Sequence, residues 1–294
     1  SSALPTDTVR LAARLQQCVA AGSGGSISVT RWNWSSQNNH IGRADAAVRL
    51  LVELARCAET EAVMSRSSPR LMLWGHSHGG NVLALVASLL AADAAARSDF
   101  FAAARRFTQP WFAQQSDRPA WQEAASILDD AQHPLRRCAL DMVTFGTPIR
   151  YAFAAGGYAK LMHFVNHHCG EGRSDWLGPR RIGPFSFLTA AEGDCIAQIV
   201  IAGSNIMPLP LLLRPLLADW SLHRLLQRGA RSELWFRRIG YGQRVFDAGT
   251  TVLVDYQDPA KGYRRHLAGH ALYTRSRWLP FHCQQIAEEF YGGS

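Results

Sequence analysis

The sequence predicts an α/β fold: one domain with a mostly parallel central sheet flanked by helices. Three observations predict it. Short β-branched or aromatic runs alternate with stretches of helical periodicity along the chain. The 294 residues suffice for one large hydrophobic core. A sharp turn, GHSHGG at residues 75–80, joins an apolar strand to a strongly apolar helix.

The elements follow in order. Residues 8–20 (TVRLAARLQQCVA) carry apolar side chains at helical spacing, and Gly22, Gly24 and Gly25 break the pattern. Residues 26–34 (SISVTRWNW) are β-branched and aromatic and predict a strand, followed by the polar loop SSQNNH. Residues 43–58 predict an amphipathic helix. Pro69 leads into the short apolar strand LMLWG, and the run from Asn81 to Ala96 is a helix apolar nearly all round, as suits one packed on a sheet. Residues 139–148, 195–203 and 250–256 predict three further strands, and residues 279–291 a closing helix. The Arg-, Trp- and Pro-containing segment 97–137, the Gly- and His-rich segment 149–193 and the segment 206–246 read as insertions, placed where lids form.

Composition narrows the class. Apolar residues make up 47% and charged residues 18%, which fits a globular chain and not a disordered one. The net charge is +8, nearly all from arginine, with lysine only at 160 and 261. The arginines are spread along the chain with no basic stripe among aromatics, so nucleic acid is not an expected partner. Six scattered cysteines without a CxxC pair predict mostly reduced core residues, with one bridge left open. No run of about 18 apolar residues predicts a transmembrane helix. With no signal-peptide pattern at the first residues, a cytoplasmic location is favoured over others.

Chemistry concentrates at Gly75-His76-Ser77-His78-Gly79, a G-x-S-x-G pentapeptide between strand and helix. Such a turn strains the serine backbone, lifts Oγ above the sheet edge and aims the N–H of the next residue, His78, at a developing oxyanion. A Gly-rich turn with an idle serine, or a phosphate-cradling loop, is the plainer alternative. The sequence resembles the lipase and esterase branch of the α/β-hydrolase superfamily. The resemblance rests on GHSHGG, on VTFGTP at residues 143–148 and on GHALYT at residues 269–274, and covers about residues 8–290. It implies a Ser–acid–His order along the chain. Ser77 is then the nucleophile and His270 the base, chosen over His266 and His282 because it follows the last strand by a loop. Asp255, at the end of the last strand, is the first choice of acid. Asn205 and Asp258 are the alternatives, Asn205 standing where an aspartate is usual in the superfamily. His76, Trp32 and Trp34 are candidates to line the pocket, with strand packing the plainer role for both tryptophans. Such lipases also carry a strand and oxyanion loop before the first helix. Here these are expected upstream of residue 1, unless another segment supplies the donor.

The resemblance implies a hydrolase of carboxylic esters, lipid esters included, with transient contact at a membrane surface and no cofactor. Thioesterase, amidase and acyltransferase chemistry share the same triad. His163, His167 and His168 could place imidazoles on one helix face, but no acidic third ligand is near in sequence, so no metal is expected. The rival from another class is a non-catalytic binding or interaction domain that retains the fold.

Overall fold

A computed structural model describes residues 13–14, 16–17, 27–64, 69–105, 118–148, 150–168, 172, 174, 177–178, 184–201, 222, 242–257 and 266–292. Among these, four parallel strands form one sheet in the order β1-β2-β3-β4: β1 (Arg70–His76), β2 (Ala139–Phe145), β3 (Lys160–Asn166) and β4 (Thr250–Val254). Spatial order equals chain order, so each crossover moves one strand along the sheet. Parallel pairing requires long connections. Helices α2 (His78–Ala91), α3 (Ala94–Arg105) and α4 (Arg118–Asp129) lie between β1 and β2, and α5 (Pro184–Thr189) and α6 (Cys195–Ile201) between β3 and β4, while the described residues between β2 and β3 hold no helix; α1 (His40–Met64) precedes β1 and α7 (Leu279–Tyr291) follows β4.

The period of two along the central strands sorts the core into two layers. Leu140 and Met142 of β2 and Leu161 and Val165 of β3 join a cluster with α1, α2 and α4, including Leu51, Leu85 and Leu128. Their neighbours Val143, Phe145, Met162 and Phe164 join the opposite cluster, with Ile286 and Phe290 of α7. Burial on both faces explains why β2 reads as a nearly continuous apolar run. Each large apolar side chain so buried contributes on the order of 1.5–3 kcal/mol. Helix α2 takes the central place, with Val82, Leu83, Ala84, Leu85, Val86 and Ala87 all buried, as its all-round apolar sequence predicts.

The strands at 71–75, 139–148 and 250–256 and the helices at 43–58 and 279–291 are found with shifted or equal bounds, while the helix expected at 81–96 ends at Ala91 and a second, α3, begins at Ala94. Three expectations are corrected. Residues 27–34 pair with no strand of the sheet. Their apolar side chains at Ile27, Val29, Trp32 and Trp34 are half-buried, and both tryptophans pack against the first cluster. Residues 195–201 are helical rather than extended, because the Asp194 carboxylate accepts from Ala197 N at 2.8 Å and caps the first turn. The β-branched run of Ile199, Val200 and Ile201 suggests a strand, and capping with tertiary packing overrides it. The third strand instead lies in the segment expected to be irregular. It is KLMHFVN, whose His163 is fully buried because Thr144 Oγ1 (2.6 Å) and the Ala248 carbonyl (3.0 Å) satisfy its ring, which stacks on Phe246 at 3.6 Å.

Segment 97–137 belongs in part to the helical layer: α4 packs on α1, and Trp121 Nε1 donates to Asp45 at 2.8 Å. Most of segment 206–246 lies outside the described residues, as does most of 8–20, of which residues 13, 14, 16 and 17 are helical. The four described cysteines, Cys57, Cys138, Cys195 and Cys283, form no disulfide. Among the described residues no helix is long and apolar enough to cross a membrane.

Candidate active site

Ser77 stands between the end of β1 and the start of α2 with φ 55° and ψ −129°. A non-glycine residue at such a positive φ stores strain of order 1–3 kcal/mol, held only where surrounding bonds over-determine it. Those bonds are present. Ser77 N donates to the Phe145 carbonyl at 3.0 Å, extending the β1–β2 ladder, and Gly80 N donates to the Ser77 carbonyl at 3.1 Å. The Ser77 side chain makes no helix-capping bond, so Oγ is not spent on the turn. His78 is the first residue of α2, and the first N–H groups of a helix have no intrahelical acceptor.

The glycines of the turn have separate jobs. A Cβ on Gly75 would sit 2.7 Å from Gly80 N and 2.9 Å from the Gly79 carbonyl carbon, so strand and helix meet there. A Cβ on Gly80 would sit 2.0 Å from Thr147 Oγ1. A Cβ on Gly79 would meet no heavy atom within 4 Å. The steric demand of the turn therefore falls on Gly75 and Gly80, and not on Gly79.

His270 lies in a loop turned by three successive left-handed residues, Leu267 (φ 47°), Ala268 (φ 51°) and Gly269 (φ 83°). Its ring lies 4.8 Å from that of His76, and His76 Nε2 donates to the His270 carbonyl at 3.0 Å. His76, the residue before the serine, thus holds the histidine loop from below. Burial is the main cause that pushes the His76 ring below the ordinary histidine range, with His270 beside it adding to the effect.

The carboxylate at His270 is Asp194 and not Asp255, the first choice of acid from the sequence. Asp194 Oδ2 accepts from His270 Nδ1 at 2.8 Å, with the His270 side chain 6% exposed and the Asp194 side chain 0%. The same oxygen accepts from Tyr273 Oη at 2.9 Å, and Oδ1 caps α6 through Ala197 N. With Nδ1–H donated to Asp194, Nε2 of a neutral His270 carries the lone pair. Asp255 is elsewhere: its Oδ1 meets His168 Nδ1 at 2.8 Å, with the two side chains 51% and 26% exposed. Asn205 and Asp258 lie outside the described residues. His282 is buried in the second cluster, where it accepts from Tyr256 Oη at 2.6 Å and burial pushes it down to about 4. His266 accepts from Gly269 N at 3.4 Å within the histidine loop.

The frame of Asp194 is dense. Asp194 N donates to the Asn166 carbonyl at 2.9 Å, Asn166 Nδ2 donates to the Gly269 carbonyl at 3.0 Å, and Asn166 N donates to Tyr273 Oη at 2.7 Å. The end of β3 thereby clamps the acid and the histidine loop together. Arg244 donates to the Asp194 carbonyl from the other side at 2.5 Å. Gly146 of the VTFGTP stretch has φ 54°, and a Cβ there would sit 2.3 Å from the Tyr273 ring and 2.7 Å from Asp194 Oδ2. That glycine makes room for the acid, and Thr147 packs on the serine turn, so the motif serves both ends of the site.

The sequence signal for Asp194 was its place before an apolar run, with an aspartate three residues ahead of Ala197 as a helix cap. Reading 195–203 as a strand hid it. Among the described residues no group of three or more His, Cys, Asp or Glu is placed to hold a metal. His163 and His167 sit on or beside β3, not on a helix face. Comparisons with family models, with curated proteins and with solved structures find no match.

Proposed function

We propose that this protein is a serine hydrolase of carboxylic esters with an α/β-hydrolase fold, using Ser77, His270 and Asp194. The observation that carries the reading is the buried 2.8 Å pair of His270 and Asp194, in a chain whose Ser77 occupies a strained strand-to-helix turn. The order Ser77, Asp194, His270 along the chain is the order of this fold. The His76–His270 contact brings the histidine loop to the residue beside the nucleophile.

In the reaction, Ser77 Oγ attacks the ester carbonyl carbon while His270 Nε2 takes the hydroxyl proton. The carbonyl electrons move to oxygen, and the His78 N–H stabilises that oxyanion. Collapse re-forms the carbonyl and breaks the bond to the alcohol, which leaves with the proton from His270. Water then attacks the acyl-enzyme, gives a proton to His270 and releases the acid, returning the proton to Ser77. Asp194 fixes the tautomer of His270 and balances the imidazolium charge between steps.

A fluorophosphonate probe tests the reading, because it reacts with activated serines. Intact mass should show one adduct per chain on the wild type and none on Ser77→Ala. Well-folded wild-type protein that takes up no adduct would overturn it.

A further inference from the structure

Arg244 lies a few residues before β4, in a segment pinned at both ends. Gly178 N donates to the Gly242 carbonyl at 2.7 Å and Leu177 bridges Gln243, while Phe246 stacks on the buried ring of His163 at 3.6 Å. Between these pins Arg244 is 4% exposed. Arginine is almost never buried this far without a carboxylate to balance it. Among the described residues the Arg244 nitrogens meet none, and two of them go to backbone oxygens instead. Nη1 donates to the Asp194 carbonyl at 2.5 Å and Nη2 to the Glu192 carbonyl at 3.3 Å. Nε is buried with no hydrogen-bond partner among the described residues. A Cβ on Gly178 would sit 2.5 Å from that Nε, so the glycine makes room for the side chain.

Both carbonyls belong to the turn that delivers Asp194. Gly193 N donates to the Ala190 carbonyl at 3.0 Å and closes it, with Ala190 at φ 53° and Gly193 at φ 95°. A left-handed alanine stores strain that its surroundings must hold. The end of β3 supplies part of the hold: His167 bridges Gly193, and Asp194 N donates to the Asn166 carbonyl. Arg244 supplies two further points. A planar guanidinium fixes the spacing of two acceptors, which an ammonium on a flexible stem does not. The two acceptors flank Gly193, so their spacing sets how the Asp194 side chain leaves the backbone toward His270.

We propose that Arg244 is a positioning residue for the hydrolytic site: its fork on the Glu192 and Asp194 carbonyls sets the turn that carries the acid, and through the acid the orientation of His270. The proposal rests on the hydrolase reading for the reaction, and not for the geometry of the pair.

The test follows the Nδ1 proton of His270 by NMR, identified by its absence from His270→Gln. Arg244→Met keeps an apolar stem and removes the fork. In protein with native near-ultraviolet circular dichroism, the resonance should move. On a neutral short-chain ester, kcat should fall about 10- to 100-fold with KM within about two-fold, as for a small misplacement of reacting groups. Arg244→Lys keeps the charge without the fork and should lie between the two. Gly178→Ala pushes Nε aside with the arginine still present, and should move the resonance in the same direction; it carries the test if Arg244→Met does not fold. A lower melting temperature with the resonance in place is the mark of a merely structural role and overturns the proposal. So does an Arg244→Lys protein indistinguishable from wild type. A resonance that moves as expected, in a wild type that takes up no fluorophosphonate, would instead overturn the hydrolase reading and leave Arg244 setting the Asp194–His270 pair.

Discussion

Two histidine–aspartate pairs in this protein have the same separation. His270 and Asp194 meet at 2.8 Å, and so do His168 and Asp255. Burial separates them: the first pair is 6% and 0% exposed, the second 26% and 51%. Asp194 also has four further bonds to hold it, through Tyr273, Ala197 N, its own N–H to Asn166 and its carbonyl to Arg244. An exposed pair of this kind contributes about 0–1 kcal/mol and turns freely in water. A buried, fully hydrogen-bonded carboxylate has one orientation and stays in place when charge appears on the imidazole. Distance alone does not tell the two pairs apart; burial and secondary bonding do.

The sharpest way to break this comparison is to remove the charge from each aspartate in turn. Asp194→Asn should lower ester turnover by roughly 10⁴-fold, since an amide can hold His270 in the wrong tautomer and cannot balance imidazolium. Steady-state kinetics on a neutral short-chain ester reads it directly. Turnover within ten-fold of wild type would mean that another group serves His270.

A third class of histidine extends the comparison: buried rings with neutral partners. Burial holds His163 down to about 3 and His282 down to about 4, against about 6.5 in the unfolded chain. The unfolded state therefore binds protons that the folded state refuses, and stability falls as pH drops from about 6.5 toward those values. Each such group withdraws about 1.4 kcal/mol per pH unit in that window. Urea unfolding between pH 7 and 4.5 should show the decline, and His282→Gln should make it shallower by about that slope. A slope unchanged by His282→Gln would show that the ring gains its proton without unfolding.

Tyr273 tests the secondary bonding. Its hydroxyl donates to Asp194 Oδ2 and accepts from Asn166 N. Tyr273→Phe leaves the ring packed and removes both bonds, stranding a buried N–H at a cost of about 1–3 kcal/mol. We expect roughly ten-fold lower turnover and a lower melting temperature. The Nδ1 proton of His270, seen by NMR, should also shift, which stability loss alone would not produce. An unmoved resonance would mean that Asp194 needs no support from Tyr273.

The serine turn of this arrangement was legible in the sequence and the carboxylate that meets His270 was not, for a physical reason. Ser77 announces itself because strain, strand and helix are all local: the turn is written in six consecutive residues. His270 is readable because Gly269 precedes it in a loop after the last strand. Asp194 depends on β3, and β3 is disguised. Its Lys160, His163 and Asn166 interrupt the apolar pattern, and what allows His163 and Asn166 inside are partners elsewhere in the chain, Thr144 and Ala248 for His163 and Gly269 for Asn166. With that strand unread, the β-branched turn of α6 takes its place in the reckoning and the acid is sought too late. Residues 27–34 show the converse: apolar side chains at 27, 29, 32 and 34 share a half-buried face, but no strand of the described sheet pairs with it.

The smallest expected effect closes the comparison from the exposed side. Asp255 follows β4 at the strand end, where a triad acid is plausible by position, yet its carboxylate faces His168 and solvent. Asp255→Asn removes one exposed ion pair, whose worth is at most about 1 kcal/mol and falls with added salt. Turnover should stay within two-fold of wild type, and the denaturation midpoint should shift only slightly, with less shift at 0.5 M salt than at low salt. The backbone carbonyl of Asp255 accepts from Gln257 N at 2.9 Å, and the substitution leaves that bond in place. A turnover loss approaching that of Asp194→Asn would mean that both aspartates act on one histidine loop. The two pairs would then be parts of one site, and burial would no longer tell them apart.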